Sequence, residues 1–132
     1  MDDYLVVYKI GKSNDFVKNN YDFIYPLVNK ENNDLIKKFN KGINILGNPK
    51  DECIPVYNKT FFVFYNYKAI KRFLYSLCDF SKEELSRITE ETGFHLYELH
   101  IDSISNGFSK MRGTVFPDEV LEVINIDFTD IK

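Results

Sequence analysis

The sequence contains no tryptophan, only two cysteines and only two histidines. The small numbers of cysteines and histidines limit the kinds of redox or metal site that the chain can form. Cys53 and Cys78 lie too far apart for a CxxC redox or zinc pair, so we expect free thiols in a reducing, cytoplasmic compartment. His95 and His100 are an odd number of residues apart on one expected strand and should point to opposite faces. This spacing argues against a histidine-based zinc site, and we expect neither a bound metal nor a cofactor.

Long apolar runs and a positive charge balance are also missing. No segment approaches the ~18 apolar residues of a membrane-spanning helix. The first residues, MDDYLVVYKIGK, are acidic where a signal peptide is basic. The net charge is −3, from 17 basic and 20 acidic residues, whereas a general nucleic-acid binder needs a positive field. We therefore expect no membrane partner and no general binding of nucleic acid.

The residues that are present suit one folded domain. The 132 residues are 44% hydrophobic and 16% aromatic, which is enough to build a core without disulfides or metals. No linker or internal repeat divides the chain. We expect a single small α+β domain over residues 1–132, with an antiparallel or mixed sheet and two to four packed helices.

Alternating and helical apolar patterns place the elements. Strands are predicted over residues 4–10, 60–65, 94–104, 108–115 and 119–128, with a short edge strand over 53–57. Helices are predicted over residues 32–40, after Asn66 and from Ser81 to Ile88, while 16–25 is ambiguous. Gly42 and Gly93 are expected to end helices, and Asn106-Gly107 to form a tight hairpin turn. The expected core is Val6, Phe62, Phe64, Ile70, Phe73, Leu77, Tyr97, Leu99, Val123 and Ile126.

The helix after Asn66 has two distinct faces. One is apolar, and the other carries Lys68, Lys71, Arg72 and Tyr75. Such a face can hold a nucleotide phosphate, with Tyr65 or Tyr67 stacking on the base, although most helix faces of this kind are simply solvated. Arg112 can recognise a phosphate with two parallel hydrogen bonds. Pairing of Arg112 across strands with Glu98 or Asp102 is the simpler expectation.

A second polar group lies on the predicted strand 94–104. Glu98, His100 and Asp102 alternate and therefore share a face, where neighbouring carboxylates can orient an imidazole for acid–base chemistry. A wet sheet face explains the same pattern. No nucleophile or glycine-rich loop accompanies the row, which favours the simpler explanation.

The order of elements over residues 60–131 resembles the later half of the ADP-ribosyltransferase-like fold. The segments FFVFYN, KAIKRFLYSL, FHLYELHID and FPDEVLEVINI follow that family's order of strand, helix, strand, and loop leading into a strand. The resemblance implies NAD as substrate and Glu119 as the catalytic glutamate of a Gln/Glu-x-Glu signature. Pro117 stands at the first signature position, and Tyr65-Asn66 stands where the family has a serine-bearing turn.

Three hypotheses for function remain. The leading one is a small non-catalytic binding protein, such as an inhibitor, immunity or ligand-sequestering protein of bacterial or phage type. It would recognise a protein partner or a small nucleotide-like ligand through Lys68, Arg72, Tyr75 and Arg112. The alternative is an NAD-using transferase with Glu119. The third is a purely structural or oligomer-forming protein, such as a homo-oligomer, with exposed aromatics such as Tyr57, Tyr65 and Tyr67 as interface anchors.

Overall fold

An antiparallel sheet is the framework of the chain. The computed structural model describes residues 4–11, 33–46, 61–102, 106–107 and 112–132. Within these ranges the strands are β1 (Leu5–Gly11), β2 (Phe61–Phe64), β3 (His95–Ile101), β4 (Asn106–Gly107), β5 (Arg112–Val115) and β6 (Val120–Ile126). They lie in the order β4-β5-β2-β1-β3-β6, and every neighbouring pair is antiparallel. The predicted α+β domain is confirmed, and its sheet is antiparallel rather than mixed.

The helices of the described ranges number four, within the predicted two to four. They are α1 (Asp34–Leu46), α2 (Tyr67–Arg72), α3 (Lys82–Leu85) and α4 (Ile88–Thr92). Helix α2 continues directly as a π-helical turn, Phe73–Leu77, and short 3-10 turns, Pro117–Glu119 and Phe128–Asp130, flank β6. None of these described helices combines the length and apolarity needed to cross a bilayer.

Strand β1 lies in the middle of the sheet and is buried on both faces, as its two apolar sets of alternating residues predict. Tyr8 and Ile10 belong to the apolar cluster that includes the helices. Val7 belongs to a second cluster on the opposite face, with Leu99 of β3. Lys9, whose backbone pairs with Tyr97, is only 2% exposed.

Helix α1 supplies the centre of the helical layer. Asn33 starts it, because its Oδ1 accepts a hydrogen bond from the Leu35 amide at 2.7 Å. Phe39 is completely buried in the helical cluster. Its ring contacts four other aromatic rings at centroid distances of 5.0 to 6.4 Å, those of Phe73, Phe80, Phe94 and Phe128.

The role predicted for Gly42 is wrong. It does not end a helix but lies inside α1, which runs on to Leu46. A Cβ atom at Gly42 would overlap Cys78 Sγ and would lie 3.1 Å from Phe73 Cε1. Gly42 therefore lies where α1 packs so closely against Phe73 and Cys78 that no side chain fits between them.

The other local helix signals are confirmed. Asn66 Oδ1 accepts a hydrogen bond from the Ala69 amide at 2.8 Å and starts α2. Ser81 and Glu84 form the reciprocal capping box that starts α3. Gly93 ends α4 with φ of 80°, a conformation that glycine adopts without strain.

Most of the expected core is buried. Phe64, Ile70, Phe73, Tyr97 and Leu99 are each at most 8% exposed. The remaining described members, which are half-buried against the two clusters, are Val6, Leu77, Val123 and Ile126. The side chain of Phe62 and the predicted segments 16–25 and 53–57 lie outside the described residues.

The prediction of a hairpin turn at Asn106-Gly107 is wrong. These two residues are the strand β4, where Asn106 pairs with Thr114 and Gly107 pairs with Gly113. The chain leaves β3 on one side of β1 and reaches β4 at the opposite edge of the sheet. An Asn-Gly pair favours a turn when no other contact determines its backbone conformation. Here the pairing with β5 holds the backbone of Asn106 and Gly107 extended.

Candidate binding site

Helix α2 separates an apolar face from a charged one. Its first turn is fixed by the Asn66 cap, and its buried residues continue into the π-helical turn: Ala69, Ile70, Phe73 and Leu74. The residues on the opposite side are exposed: Lys68, Lys71 and Arg72. Positions i, i+3 and i+4 of a helix are neighbours, so the three charges form one patch, here called the cationic face.

The cationic face has no carboxylate partner among the residues that the structure describes. Two other basic side chains of the helical layer, by contrast, are paired. Lys38 Nζ lies 2.7 Å from Glu84 Oε1, and Arg87 bridges Glu83 and Glu91 at 2.9 and 2.6 Å. No carboxylate of the described ranges therefore competes with an external anion for these three cations.

Tyr75, predicted to help in recognition, is already engaged. Its hydroxyl donates a 2.6 Å hydrogen bond to the Ile131 carbonyl, and the side chain is half-buried. Tyr67 acts similarly, because its hydroxyl accepts a 2.6 Å hydrogen bond from the Lys132 amide. The two phenols attach the segment after β6 to helix α2 and to the π-helical turn that continues it, which gives Tyr75 a structural role.

Arg112 lies on β5, where its backbone pairs with Phe64 at the end of β2. The expected pairing with Glu98 or Asp102 is wrong, because β2 and β1 lie between β5 and β3. Three strand spacings of about 4.8 Å separate those backbones. The Arg112 side chain lies outside the described part of the structure, so its role in binding stays a prediction.

The polar row on β3 is partly as predicted. His100 Nε2 lies 2.9 Å from Glu98 Oε2, which brings together two of the three predicted residues. Asp102 is exposed, and its backbone amide donates to the Glu119 carbonyl at 2.8 Å. The second carboxylate at the imidazole is Glu122 of β6, whose Oε1 lies 3.3 Å from His100 Nδ1.

An aromatic ring covers this cluster. The Tyr4 ring stacks on His100 with a centroid distance of 4.3 Å and an interplanar angle of 16°. One row further along, Tyr8 pairs with Glu98. Burial, with a smaller contribution from the Glu98 charge, raises the pKa of the Tyr8 phenol. Tyr8 therefore stays protonated and neutral beside the carboxylate.

The chemistry open to His100 follows from these contacts. A general base needs one free ring nitrogen facing its substrate, and here each nitrogen faces a carboxylate. The two carboxylates lie at different nitrogens, so the donors do not converge on one ion. Across the described ranges, no three His, Cys, Asp or Glu side chains are arranged to hold a metal. The contact between His100 and Glu122 therefore links β3 to β6.

Glu119 lies at the start of β6, in the 3-10 turn Pro117–Glu119, and is half-buried. Its amide donates to the Phe116 carbonyl at 2.9 Å. With the bond from Asp102, both sides of its backbone are fixed. The structure thus places Glu119 in the turn just before β6, one residue ahead of the strand that was predicted to begin with it.

Comparison with known proteins gives no relative: no protein-family model, no curated protein and no solved structure matches this chain. The functional conclusion below therefore depends on the chemistry of the residues.

Proposed function

We propose that this chain is a small non-catalytic binding protein whose cationic face recognises an anionic group, on a protein partner or on a nucleotide-like ligand. One observation carries the proposal. The cationic face has three exposed cations on adjacent turns of one helix with no described carboxylate beside them, whereas Lys38 and Arg87 are neutralised by glutamates.

The clustering has a cost in the free protein. Like charges at i, i+3 and i+4 destabilise a helix by about 0.2–0.5 kcal/mol per pair. A bound phosphate or carboxylate removes this repulsion and adds charge-assisted hydrogen bonds. Because the whole chain carries a net charge of −3, the attraction is local to the face, which suits one defined ligand better than a long nucleic acid.

The contacts of His100 support a non-catalytic role. Both ring nitrogens face carboxylates, and Tyr4 covers the ring. An inhibitor, immunity or ligand-sequestering protein of bacterial or phage type needs no such base. We place it in the cytoplasm, where the buried free thiol of Cys78 would stay reduced.

The position of Glu119 favours a second candidate, an ADP-ribosyltransferase-like enzyme that uses NAD. The glutamate is half-buried at the entrance to β6, and its backbone is held by two hydrogen bonds. Its test is cleavage of NAD by the chain and by Glu119→Gln. If neither binding nor cleavage of NAD is measurable, the transferase hypothesis fails.

A thermal-shift screen tests the leading proposal. The chain is melted with nucleotides, cyclic nucleotides, NAD and a polyglutamate peptide, because a ligand of the native state raises the melting temperature by mass action. The best ligand is then titrated against the double variant Lys68→Glu/Arg72→Glu. We expect an affinity loss of about a hundredfold, from two reversed contacts of about 1.4 kcal/mol each.

Lys37→Glu is the matched control, since Lys37 is an exposed lysine on α1, outside the cationic face. It should bind as the unmodified chain does. Nucleotide and polyglutamate distinguish a small ligand from an acidic protein surface. Equal affinity of the double variant and the control would exclude the cationic face as the site.

A further inference from the structure

Strand β6 is the outermost strand on one side of the sheet that the described residues form. Its inner side pairs with β3 from Leu96 to Ile101, and no strand among the described residues pairs with its outer side. At about 3.4 Å per residue, seven residues present a row of backbone donors and acceptors more than 20 Å long. The opposite edge is β4, which has only two residues.

Strand β6 has little of the usual protection of an edge. Natural edge strands are shortened or carry charged side chains, above all lysines, prolines or bulges that block further pairing. In β6 the one charged residue is Glu122, and the one register shift lies at its start, where Ile101 pairs with Val120. Leu121 is 55% exposed. The other apolar residues of the strand are half-buried: Val120, Val123, Ile124 and Ile126.

The charges around this edge are of one sign. From Phe116 to Ile131 the sequence contains no lysine, arginine or histidine. It contains five carboxylates, at both ends of the strand and in its middle: Asp118, Glu119, Glu122, Asp127 and Asp130. All are exposed except Glu119, which is half-buried. An extended segment along β6 would meet negative charge at each end.

This charge pattern selects the occupant. In an antiparallel pair of two copies, Asp118 and Glu119 of one copy would approach Asp127 and Asp130 of the other. Like charges across paired strands are destabilising. A segment with apolar residues in alternation and Lys or Arg at both ends complements the edge instead.

We propose that the outer edge of β6 binds an extended, cationic segment of a partner protein, which adds to the sheet as a further strand. Backbone hydrogen bonds supply affinity, as in other cases of strand addition. The flanking carboxylates select basic ends, and the exposed Leu121 meets an apolar residue of the segment. The proposal involves no residue of the cationic face, so either one can be tested without the other.

The test selects ligands for the whole chain from a phage-displayed library of random nonapeptides. We expect enrichment of peptides with alternating apolar residues and Lys or Arg at their ends. The most enriched peptide is then labelled and measured by fluorescence polarisation. Its affinity should fall at least about tenfold in Leu121→Lys, because the apolar contact at Leu121 is lost and a charged side chain would have to be desolvated against an apolar residue of the peptide.

Ile45→Lys is the matched control. Ile45 is 57% exposed on α1, so the same substitution at similar exposure should leave binding unchanged. Asn125→Lys, at a second exposed position of β6, should weaken binding as Leu121→Lys does. Amide chemical shifts should change along β6 when the peptide binds.

Three outcomes would overturn the proposal. One is a library without enriched peptides, or with enriched peptides that carry acidic ends. Another is a peptide that binds Leu121→Lys and Asn125→Lys normally. The third is a concentration-dependent dimer in sedimentation that Leu121→Lys abolishes, because the occupant would then be a second copy. None of these results bears on ligand binding at the cationic face.

Discussion

Replacing Gly42 by alanine should destabilise the protein, although alanine is the better helix former. Gly42 lies inside α1, where alanine would ordinarily stabilise by about 1 kcal/mol. The new Cβ would overlap Cys78 Sγ and lie 3.1 Å from Phe73 Cε1 and 3.2 Å from the Cys78 backbone nitrogen. A backbone atom and a buried ring cannot retreat easily, so we place the overpacking cost near 3 kcal/mol, the upper end of its usual range.

The net effect is a loss of about 2 kcal/mol in the free energy of unfolding, measured by urea denaturation. The melting temperature should fall by about 6–10 °C. Adding Cys78→Ala removes the overlapping sulfur. In a double-mutant cycle we expect a coupling energy of at least about 1 kcal/mol between the two positions.

Gly93→Ala is the matched control for this experiment. Gly93 has φ of 80°, and a Cβ added there would meet no atom within 4 Å, so its substitution causes backbone strain without a clash. Its loss of about 1 kcal/mol should not respond to Cys78→Ala. The reasoning is refuted if Gly42→Ala is neutral or stabilising, or if Cys78→Ala leaves its effect unchanged.

Three further predictions concern single groups. Tyr75→Phe should lose about 1 kcal/mol of stability, because the Ile131 carbonyl loses its donor, and ligand binding at the cationic face should persist; normal stability would contradict the structural role. Hydrogen bonds from Lys38, and then from the Ser81 amide, lower the pKa of Glu84. The charge of Glu84 therefore stabilises the fold above its pKa in the unfolded chain, about 4.3. Denaturation at several pH values should show that Glu84→Gln lowers the free energy of unfolding by up to about 1 kcal/mol at pH 7, and by less as the pH falls. Burial raises the pKa of the Cys78 thiol, so the stability of the fold should decline as the pH rises above the thiol's pKa in the unfolded chain, about 8.5. A thiol reagent should modify Cys78 only in denaturant. Rapid labelling of the native chain would contradict the burial of Cys78.

Helix caps could be predicted because their causes are local. Asn66 and Ser81 each bond to an amide three residues ahead, so a short stretch of sequence contains all the partners. Gly42 shows the limit of such signals. A helix end and a close approach between helices both require glycine, and only the position of Cys78 distinguishes them.

The candidate site also has parts that the local sequence predicts and parts that it does not. The cationic face follows from the helical period, which places Lys68 and Arg72 opposite Ile70 and Phe73. Glu122 could not be found, because its contact with His100 depends on β6 pairing with β3. The predicted pairing of Arg112 with Glu98 or Asp102 was wrong for the same reason. The order of the strands depends on pairings between distant parts of the chain.

The central position of β1 has a consequence for synthesis of the protein. Its partners emerge much later from the ribosome, since Leu5 pairs with Ile101 and Tyr8 with Phe64. Both sides of this apolar strand stay open during that interval, and open strands of nascent chains are prone to aggregate. The strand at the centre of the finished sheet is therefore the one that waits longest for its partners while translation proceeds.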